Sequence, residues 1–125
     1  MKQFVEKLIS LERDIVAEKG DFVLFALFQR EEAPGKWDVV ISAPWFGKDK
    51  KAVLQFVVRK IQAMLTVEEV MILSRVILLD PTDDFVHTVT SEICIEHGNR
   101  EFTDRAFNGI AVKHAHIVTS KSTEC

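Results

Sequence analysis

The sequence predicts a single α+β domain in which five strands form a mixed, mostly antiparallel sheet and three main helices pack mainly on one face. Three segments repeat apolar residues with the period of an amphipathic helix, and five others have the apolar pattern of strands, in the order α-β-β-α-β-α-β-β. With 125 residues, 47% apolar and 28% charged, the chain has the size and composition of one globular domain. We expect the domain to span residues 1–119 and residues 120–125 to form a flexible tail.

The first helix is predicted at residues 2–19 and the first strand at residues 21–29. The helix has an apolar stripe made of Phe4, Leu8, Leu11 and Ile15. Gly20 then supplies a residue that readily adopts the left-handed conformation in which many helices end. The strand is apolar on both of its alternating sets of side chains, so both of its faces require cover.

The central part of the chain is predicted as a strand at residues 37–43, a helix at residues 49–65 and a strand at residues 72–79. The Pro-Gly pair at residues 34–35 places a turn between the first two strands, which makes them a hairpin. Residues 66–69 have a capping-box pattern, which is typical of one further short helical turn. Because a helix connects the second and third strands, these two strands are expected to be parallel.

The last part of the chain is predicted as a helix at residues 83–96 followed by a hairpin. Its two strands are expected at residues 101–107 and 110–119. They are joined by Asn108-Gly109, a dipeptide well suited to a two-residue turn between antiparallel strands. This hairpin completes the five-stranded sheet.

Charge and hydropathy disfavour several classes of partner. The net charge of −3 is small and both signs are interspersed, so no nucleic-acid partner is expected. The longest apolar run, residues 22–28, is far shorter than the roughly 20 residues that a membrane-spanning helix needs, so no membrane partner is expected. The two cysteines, Cys94 and Cys125, have no pattern that resembles a disulfide framework, and Cys94 is expected to be a small buried residue. These features predict a cytoplasmic protein.

Two loops are the best candidates for a functional location. Residues 44–47 (Pro-Trp-Phe-Gly) and 80–84 (Asp-Pro-Thr-Asp-Asp) follow the two strands that are expected to be parallel, so both should emerge at the sheet edge where α/β proteins often bind ligands. Trp45 and Phe46 are predicted to contact a partner or a planar ligand, because aromatic rings bury a large area. The alternative is that both rings fold back onto the core as a hydrophobic staple.

The aspartates of the second loop have two interpretations. Asp80 and Asp83 are candidate ligand-binding residues, and together with Asp84 they resemble a carboxylate cluster that holds a divalent cation. The simpler interpretation is helix capping. Asp80 followed by Pro81 matches an N-cap with proline at the first helical position, and Thr82 would serve almost as well.

His114 and His116 are the best candidates for metal ligands. Residues two apart on a strand point to the same face, so the two imidazoles can share one ion. A zinc centre needs at least a third protein ligand. The third-ligand candidates considered are His87, His97, Asp80 and Asp104. Without one of them, both histidines are explained as hydrogen-bonded side chains on a half-buried sheet face.

The preferred functional hypothesis is a non-catalytic protein-interaction or regulatory module that requires no cofactor. The sequence contains no phosphate-binding glycine loop, nucleophile elbow or zinc-protease motif. Three helices do not easily cover both faces of the sheet, so part of the second face is expected to be covered by a second copy, giving a homodimer, or by another protein. Two alternatives stay open. One is a small metal-dependent hydrolase that uses a divalent metal, His114 and His116 with Asp80 or Asp83, and the other is a binder of a small planar ligand in the strand-end cleft.

Overall fold

The structure, a computed structural model, describes residues 2–122 and has the predicted α+β architecture. Each helix and strand falls close to its predicted place in the chain. The elements are α1 (Lys2–Lys19), β1 (Leu24–Arg30), β2 (Trp37–Ser42), a 3₁₀ turn (Pro44–Phe46), α2 (Lys50–Met64), the short α3 (Val67–Met71), β3 (Leu73–Leu78), α4 (Asp84–Glu92), β4 (Arg100–Phe107) and β5 (Ile110–Ser120). The order of the main elements is the predicted one, with α3 as the additional short turn.

The five strands form one mixed sheet in the order β3-β2-β1-β5-β4. Strands β2 and β3 are parallel, as predicted from the helix between them, and every other neighbouring pair is antiparallel. The loops that follow β2 and β3 therefore leave the sheet at the same edge. An ion pair of 3.0 Å between Lys50 Nζ and Asp80 Oδ1 connects the ends of these two loops.

Each face of the sheet carries its own apolar core. Helices α1 and α2 pack on one face, where Phe25, Leu27, Val39 and Ile41 point. Helix α4 packs on the other face, which is built on a second set of residues that includes Leu24, Ala26, Phe28 and Val40. The helix on the second face explains why β1 is apolar on both sides. Two of the three main helices thus pack on one face of the sheet and one packs on the other, as predicted.

The segment after α4 differs from the sequence-based prediction. The helix ends at Glu92 rather than at residue 96, because the chain turns there and Ile95 forms a β-bridge with Ser120. Cys94 is exposed, so the expectation that it is buried was wrong. Strand β5 continues through Ser120, the first residue of the predicted tail, and residues 123–125 of that tail lie outside the described part of the chain.

A buried polar cluster connects α1 to β5 within the α1/α2 face. The Glu12 side chain is 0% exposed, and its carboxylate contacts His97 Nδ1 at 2.6 Å and accepts a hydrogen bond of 2.8 Å from the Thr119 hydroxyl. The Thr119 hydroxyl oxygen in turn accepts a hydrogen bond from the backbone N–H of His97. These bonds satisfy the buried carboxylate and hold the segment after α4 against α1. Among residues 2–122, no helix is long and apolar enough to cross a membrane.

Candidate functional site

Trp45 and Phe46 fold back onto the core beside α1 and α2. Trp45 Nε1 donates to the backbone carbonyls of Gly20 and Asp21, both at 3.1 Å, and its ring lies edge-on to Phe22 at 5.5 Å between centroids. Phe46 is buried, whereas Trp45 is half-buried. The structure thus places these two aromatic residues in the core-covering arrangement that the sequence offered as the alternative to a contact surface.

The aspartates of the second loop have distinct positions. Asp83 is the N-cap of α4, because its Oδ1 accepts a hydrogen bond of 2.9 Å from the backbone N–H of Phe85. The interpretation of Asp80 or Thr82 as the cap was therefore wrong, since the helix begins only at Asp84. Asp80 is exposed and forms the ion pair with Lys50.

The two loops share a sheet edge, but their side chains point to opposite faces of the sheet. Trp45 packs with the core of the α1/α2 face. Asp83 lines a groove on the α4 face. The structure therefore does not bring the aromatic pair and the aspartates together into one cleft.

An open groove with an apolar lining lies on the α4 face of the sheet. It has a volume of about 470 Å³. Its floor and walls are largely apolar, and they include Phe28, Val40, Ile77, Leu79, Phe85 and Ile110. Helix α4 covers the part of this face that lies toward β5 and leaves the part over β2 and β3 open. The second sheet face is thus only partly covered within one chain.

A buried carboxylate closes one end of this groove, which we call the α4-face groove. Asp38 on β2 accepts hydrogen bonds from Arg75 Nε at 3.2 Å, Arg75 Nη2 at 2.8 Å and Arg30 Nε at 2.9 Å. The hydrogen bonds to Asp38 raise the pKa of Arg75 above its usual value. Arg30 also donates to Glu32 at 2.8 Å. Three neighbouring strands are thereby connected by one charged cluster.

Sequence reasoning missed this charged cluster, although a signal for it was present. Asp38 alternates with Val40 along β2, and Arg75 alternates with Ile77 along β3, so both charged residues point to the same face as apolar neighbours. Opposite charges at apolar positions on adjacent strands are a recognisable sign of a buried ion pair. The pairing becomes evident only once β2 and β3 are placed side by side.

The histidine pair lies on the other sheet face, beneath α1. His114 Nε2 contacts Glu101 Oε2 at 2.5 Å, and His116 Nδ1 contacts Asn99 Oδ1 at 3.1 Å. The two imidazole rings are 4.8 Å apart between centroids. They border a cavity of about 500 Å³ between the β4–β5 hairpin and α1. Their common orientation confirms the expectation from their spacing along the strand.

Electrostatic conditions differ between the members of this histidine cluster. Burial lowers the pKa of His116, which favours the neutral imidazole. The hydrogen bond to His114 lowers the pKa of Glu101, which favours the carboxylate. The ligand atoms of Glu101, His114 and His116 all lie within 4.8 Å of one another. In the part of the chain from residue 2 to residue 122, these are the side chains that come together with the spacing of metal ligands.

Glu101 is not among the third ligands that the sequence analysis considered. His97 is engaged with Glu12, and none of the four considered residues joins the two histidines. Asp83, which the hydrolase hypothesis placed with them, faces the opposite sheet face. The signal for Glu101 lay in the hairpin. Counting outward from Asn108-Gly109 pairs Phe107 with Ile110 and, six residues further out on each strand, Glu101 with His116.

No family model, curated protein or solved structure matches this chain.

Proposed function

We propose that this chain is a non-catalytic protein-interaction module that works as a homodimer, with the α4-face groove as its docking surface. The observation that carries the proposal is the groove itself, which is open and has an apolar floor. At one end it has two guanidinium groups that share one carboxylate, and at the other end it has two carboxylates. A second copy of the chain is the occupant that this pattern fits best. An interaction module of this kind needs no cofactor.

The apolar floor supplies the driving force for association. Ile110, at the tip of the β4–β5 hairpin, is 47% exposed although it is a large apolar residue, and it borders the groove. Val40, Ile77 and Leu79 continue the apolar surface across β2 and β3. Covering such a surface gains about 25 cal/mol for each Å² of apolar area that is removed from water.

The charges at the two ends make the groove complementary to itself. Arg30 and Arg75 lie at the end where β2 and β3 begin, where they share the Asp38 carboxylate, so the three side chains together keep one positive charge. Asp83 and Asp84 lie at the end where β3 leads into α4. Arg75 and Leu79 are four residues apart, which corresponds to about 13 Å along a strand. A two-fold axis through the middle of the groove brings the guanidinium end of one copy against the carboxylate end of the other. Complementary charges of this kind orient the two copies and exclude other registers.

Sedimentation velocity over a range of protein concentrations tests the homodimer. We expect a dimer from micromolar concentrations upward, and Ile110→Glu should convert it to a monomer because it places a charge in the apolar contact. Val67→Glu is the matched control, since Val67 is 74% exposed on α3, outside the groove. A wild-type chain that stays monomeric over the whole range would contradict the proposal.

Charge reversal tests the two-fold arrangement separately. Arg75→Glu and Asp84→Lys should each weaken the dimer, because each places like charges opposite each other across the axis. Because Arg75→Glu also places a carboxylate beside the buried Asp38, its fold is checked by circular dichroism, and Asp84→Lys alone tests the register if that variant unfolds. The double variant Arg75→Glu/Asp84→Lys should restore much of the affinity. Asp83 is left unchanged in these variants because it caps α4. Additive weakening in the double variant would exclude this register.

The size of the groove favours a second candidate function, the binding of a small apolar ligand. Its volume of about 470 Å³ lies in the usual range for small-molecule sites, which is roughly 300–1,000 Å³. Phe28 and Phe85 contact each other edge-on at 5.5 Å and offer aromatic surface to a planar molecule. Binding of an environment-sensitive apolar dye to a monomeric wild-type chain, and its loss in Ile77→Glu, would favour this candidate over the homodimer.

The cellular context expected from the sequence is part of this proposal. We retain a cytoplasmic location, together with the absence of a nucleic-acid partner, which the small net charge of −3 supports. Fractionation of cells that express the tagged chain tests the location. A titration with labelled oligonucleotides at low salt tests the second expectation.

A further inference from the structure

We infer that Glu101, His114 and His116 form a binding site for one divalent transition-metal ion of the zinc type, with an open coordination position toward the cavity beneath α1. This site lies on the sheet face opposite to the α4-face groove, so metal binding is independent of the proposed homodimer.

The backbone brings the three side chains together on one face of the hairpin. His114 and His116 are two residues apart on β5, and Glu101 is the direct cross-strand neighbour of His116 on β4. Glu101 also reaches His114 diagonally, as the 2.5 Å contact between its carboxylate and His114 Nε2 demonstrates. Two antiparallel strands joined by a two-residue turn therefore fix three potential ligands relative to one another.

The distances between the ligand atoms are close to those of a metal centre. Zinc binds imidazole nitrogen and carboxylate oxygen at about 2.0–2.2 Å, so its ligand atoms lie about 3.3–3.5 Å apart in a tetrahedron. The Glu101–His114 pair is closer than this, and the three ligand atoms span at most 4.8 Å. An ion would replace the proton between Glu101 and His114, widen that pair slightly and draw His116 toward it by side-chain rotation.

Neighbouring side chains orient the imidazoles for metal binding. Asn99 Oδ1 accepts a hydrogen bond from His116 Nδ1, so Nδ1 carries the proton and Nε2 keeps its lone pair for an ion. The centroid of the Trp37 ring lies 5.2 Å from that of the His114 ring and 5.4 Å from that of the His116 ring, and this packing restricts the rotation of both imidazoles. Metal-ligating histidines usually have a hydrogen-bond acceptor in the position of Asn99.

The donor set selects the class of metal. Two imidazole nitrogens and one carboxylate oxygen suit zinc, cobalt, nickel and copper, whereas calcium and magnesium prefer all-oxygen sites. Three protein ligands leave the fourth tetrahedral position open. That position faces a cavity of about 500 Å³, which Val5, Glu6 and Ile9 of α1 border. Water or a small exchangeable ligand would occupy it.

Calorimetric titration of the chelator-treated full chain with ZnCl₂, and absorption spectroscopy with CoCl₂, test the site. We expect one ion per chain, and the visible bands of the cobalt form should have the intensity typical of four- or five-coordinate rather than octahedral cobalt. His114→Gln and Glu101→Gln should each weaken zinc binding at least tenfold. Both side chains are at least partly exposed, so both variants should fold. His116→Asn removes the third ligand and should have the same effect.

Two further variants separate a metal site from a surface ion pair. Asn99→Ala leaves all three ligands in place and should weaken zinc binding about tenfold, because it removes only the acceptor that orients His116. His87→Ala is the matched control and should leave the affinity unchanged, since His87 is an exposed histidine on α4. Ile110→Glu, which disrupts the proposed dimer, should also bind zinc normally. Absence of saturable binding to the wild-type chain, or equal weakening by His87→Ala, would overturn the inference.

Discussion

Arg75 and Asp38 face each other across the parallel β2–β3 pair, and Arg75 donates hydrogen bonds to both oxygens of the Asp38 carboxylate. Arg30 on β1 donates to the same carboxylate, so one buried acid connects three adjacent strands. The Asp38 side chain is only 5% exposed, whereas Arg75 is 48% exposed. A carboxylate is stable in this position because two guanidinium groups replace the water that burial removes.

Removing the Asp38 carboxylate should destabilise the fold substantially. We expect Asp38→Ala to lower the free energy of unfolding by about 3 kcal/mol, because it removes three charge-assisted hydrogen bonds and leaves Arg75 and the Nε group of Arg30 without their acceptor. Urea denaturation followed by far-UV circular dichroism measures this difference. Arg75→Met is the matched variant and should cost only about 1 kcal/mol, since Arg75 is half exposed and Arg30 still pairs with Asp38. Equal costs for the two variants would contradict this explanation.

Removing the Glu12 carboxylate, on the other face of the sheet, should destabilise the fold as much as removing the Asp38 carboxylate. Glu12→Leu removes the acceptor of both the Thr119 hydroxyl and His97, in a place that is closed to water. We expect a loss of about 3 kcal/mol in the free energy of unfolding, because the buried Thr119 hydroxyl and the His97 imidazole both lose the charged partner that Glu12 supplies. Thr119→Val removes the hydroxyl that donates to Glu12 and accepts from the His97 backbone N–H, and should cost about 2 kcal/mol. A smaller effect for Glu12→Leu than for Thr119→Val would show that the carboxylate does not hold this cluster together.

Much of the fold was predictable because local patterns determine it. The helical stripe of α1, the alternation of β2 and the Asn108-Gly109 turn are all local signals. The parallel pairing of β2 and β3 followed from the helix between them. The cover that α4 gives to the second face was harder to predict, because an apolar stripe does not identify the sheet face on which a helix packs.

The candidate sites were less predictable because they depend on contacts between distant residues. The bond between Arg75 and Asp38 joins residues 37 positions apart, and the bond between Glu12 and His97 joins residues 85 positions apart. A local pattern can mark Asp38 and Arg75 as charged residues at apolar strand positions, but it does not specify that they pair. Glu101 is different, since the hairpin register alone places it opposite His116. That pairing was available from the sequence by counting outward from the turn.

The two aspartates of the second loop should differ in their effect on stability. Asp83→Ala should cost about 1 kcal/mol, because Asp83 is the N-cap of α4. Asp80→Ala should cost less than about 0.5 kcal/mol, since its pair with Lys50 is exposed on both sides. Chemical denaturation of both variants measures the difference. Asp83→Asn retains a capping oxygen and should stay close to the wild type. A similar loss for Asp83→Asn and Asp83→Ala would exclude capping as the cause.

The contribution of Glu69 to the stability of the fold should depend on pH. The hydrogen bond from Lys7, assisted by one from the backbone N–H of Thr66, lowers the pKa of Glu69 below its ordinary value of 4.5. A carboxyl whose pKa is lowered by folding stabilises the fold above its unfolded-state pKa, and this stabilisation is lost as the pH falls through the folded-state value. The melting temperatures of the wild type and Glu69→Gln should therefore differ at neutral pH and converge in acid. Glu68→Gln removes a neighbouring charge that accepts neither the Lys7 nor the Thr66 hydrogen bond, so it should not reproduce this pH dependence.

The stability of the β4–β5 hairpin should depend on the backbone conformation of its two turn residues. Asn108 and Gly109 have φ values of 51° and 77°, and positive φ at both central residues is the geometry of a type I′ turn. Gly109→Ala should cost about 1–2 kcal/mol, because an L-residue is strained in this conformation. A Cβ atom at Gly109 meets nothing within 4 Å, so the cost comes from the backbone and not from a collision. Gly109→Asn should cost less, since asparagine tolerates the left-handed region better than alanine. Urea unfolding of both variants checks this order, and equal costs would exclude backbone strain as the reason.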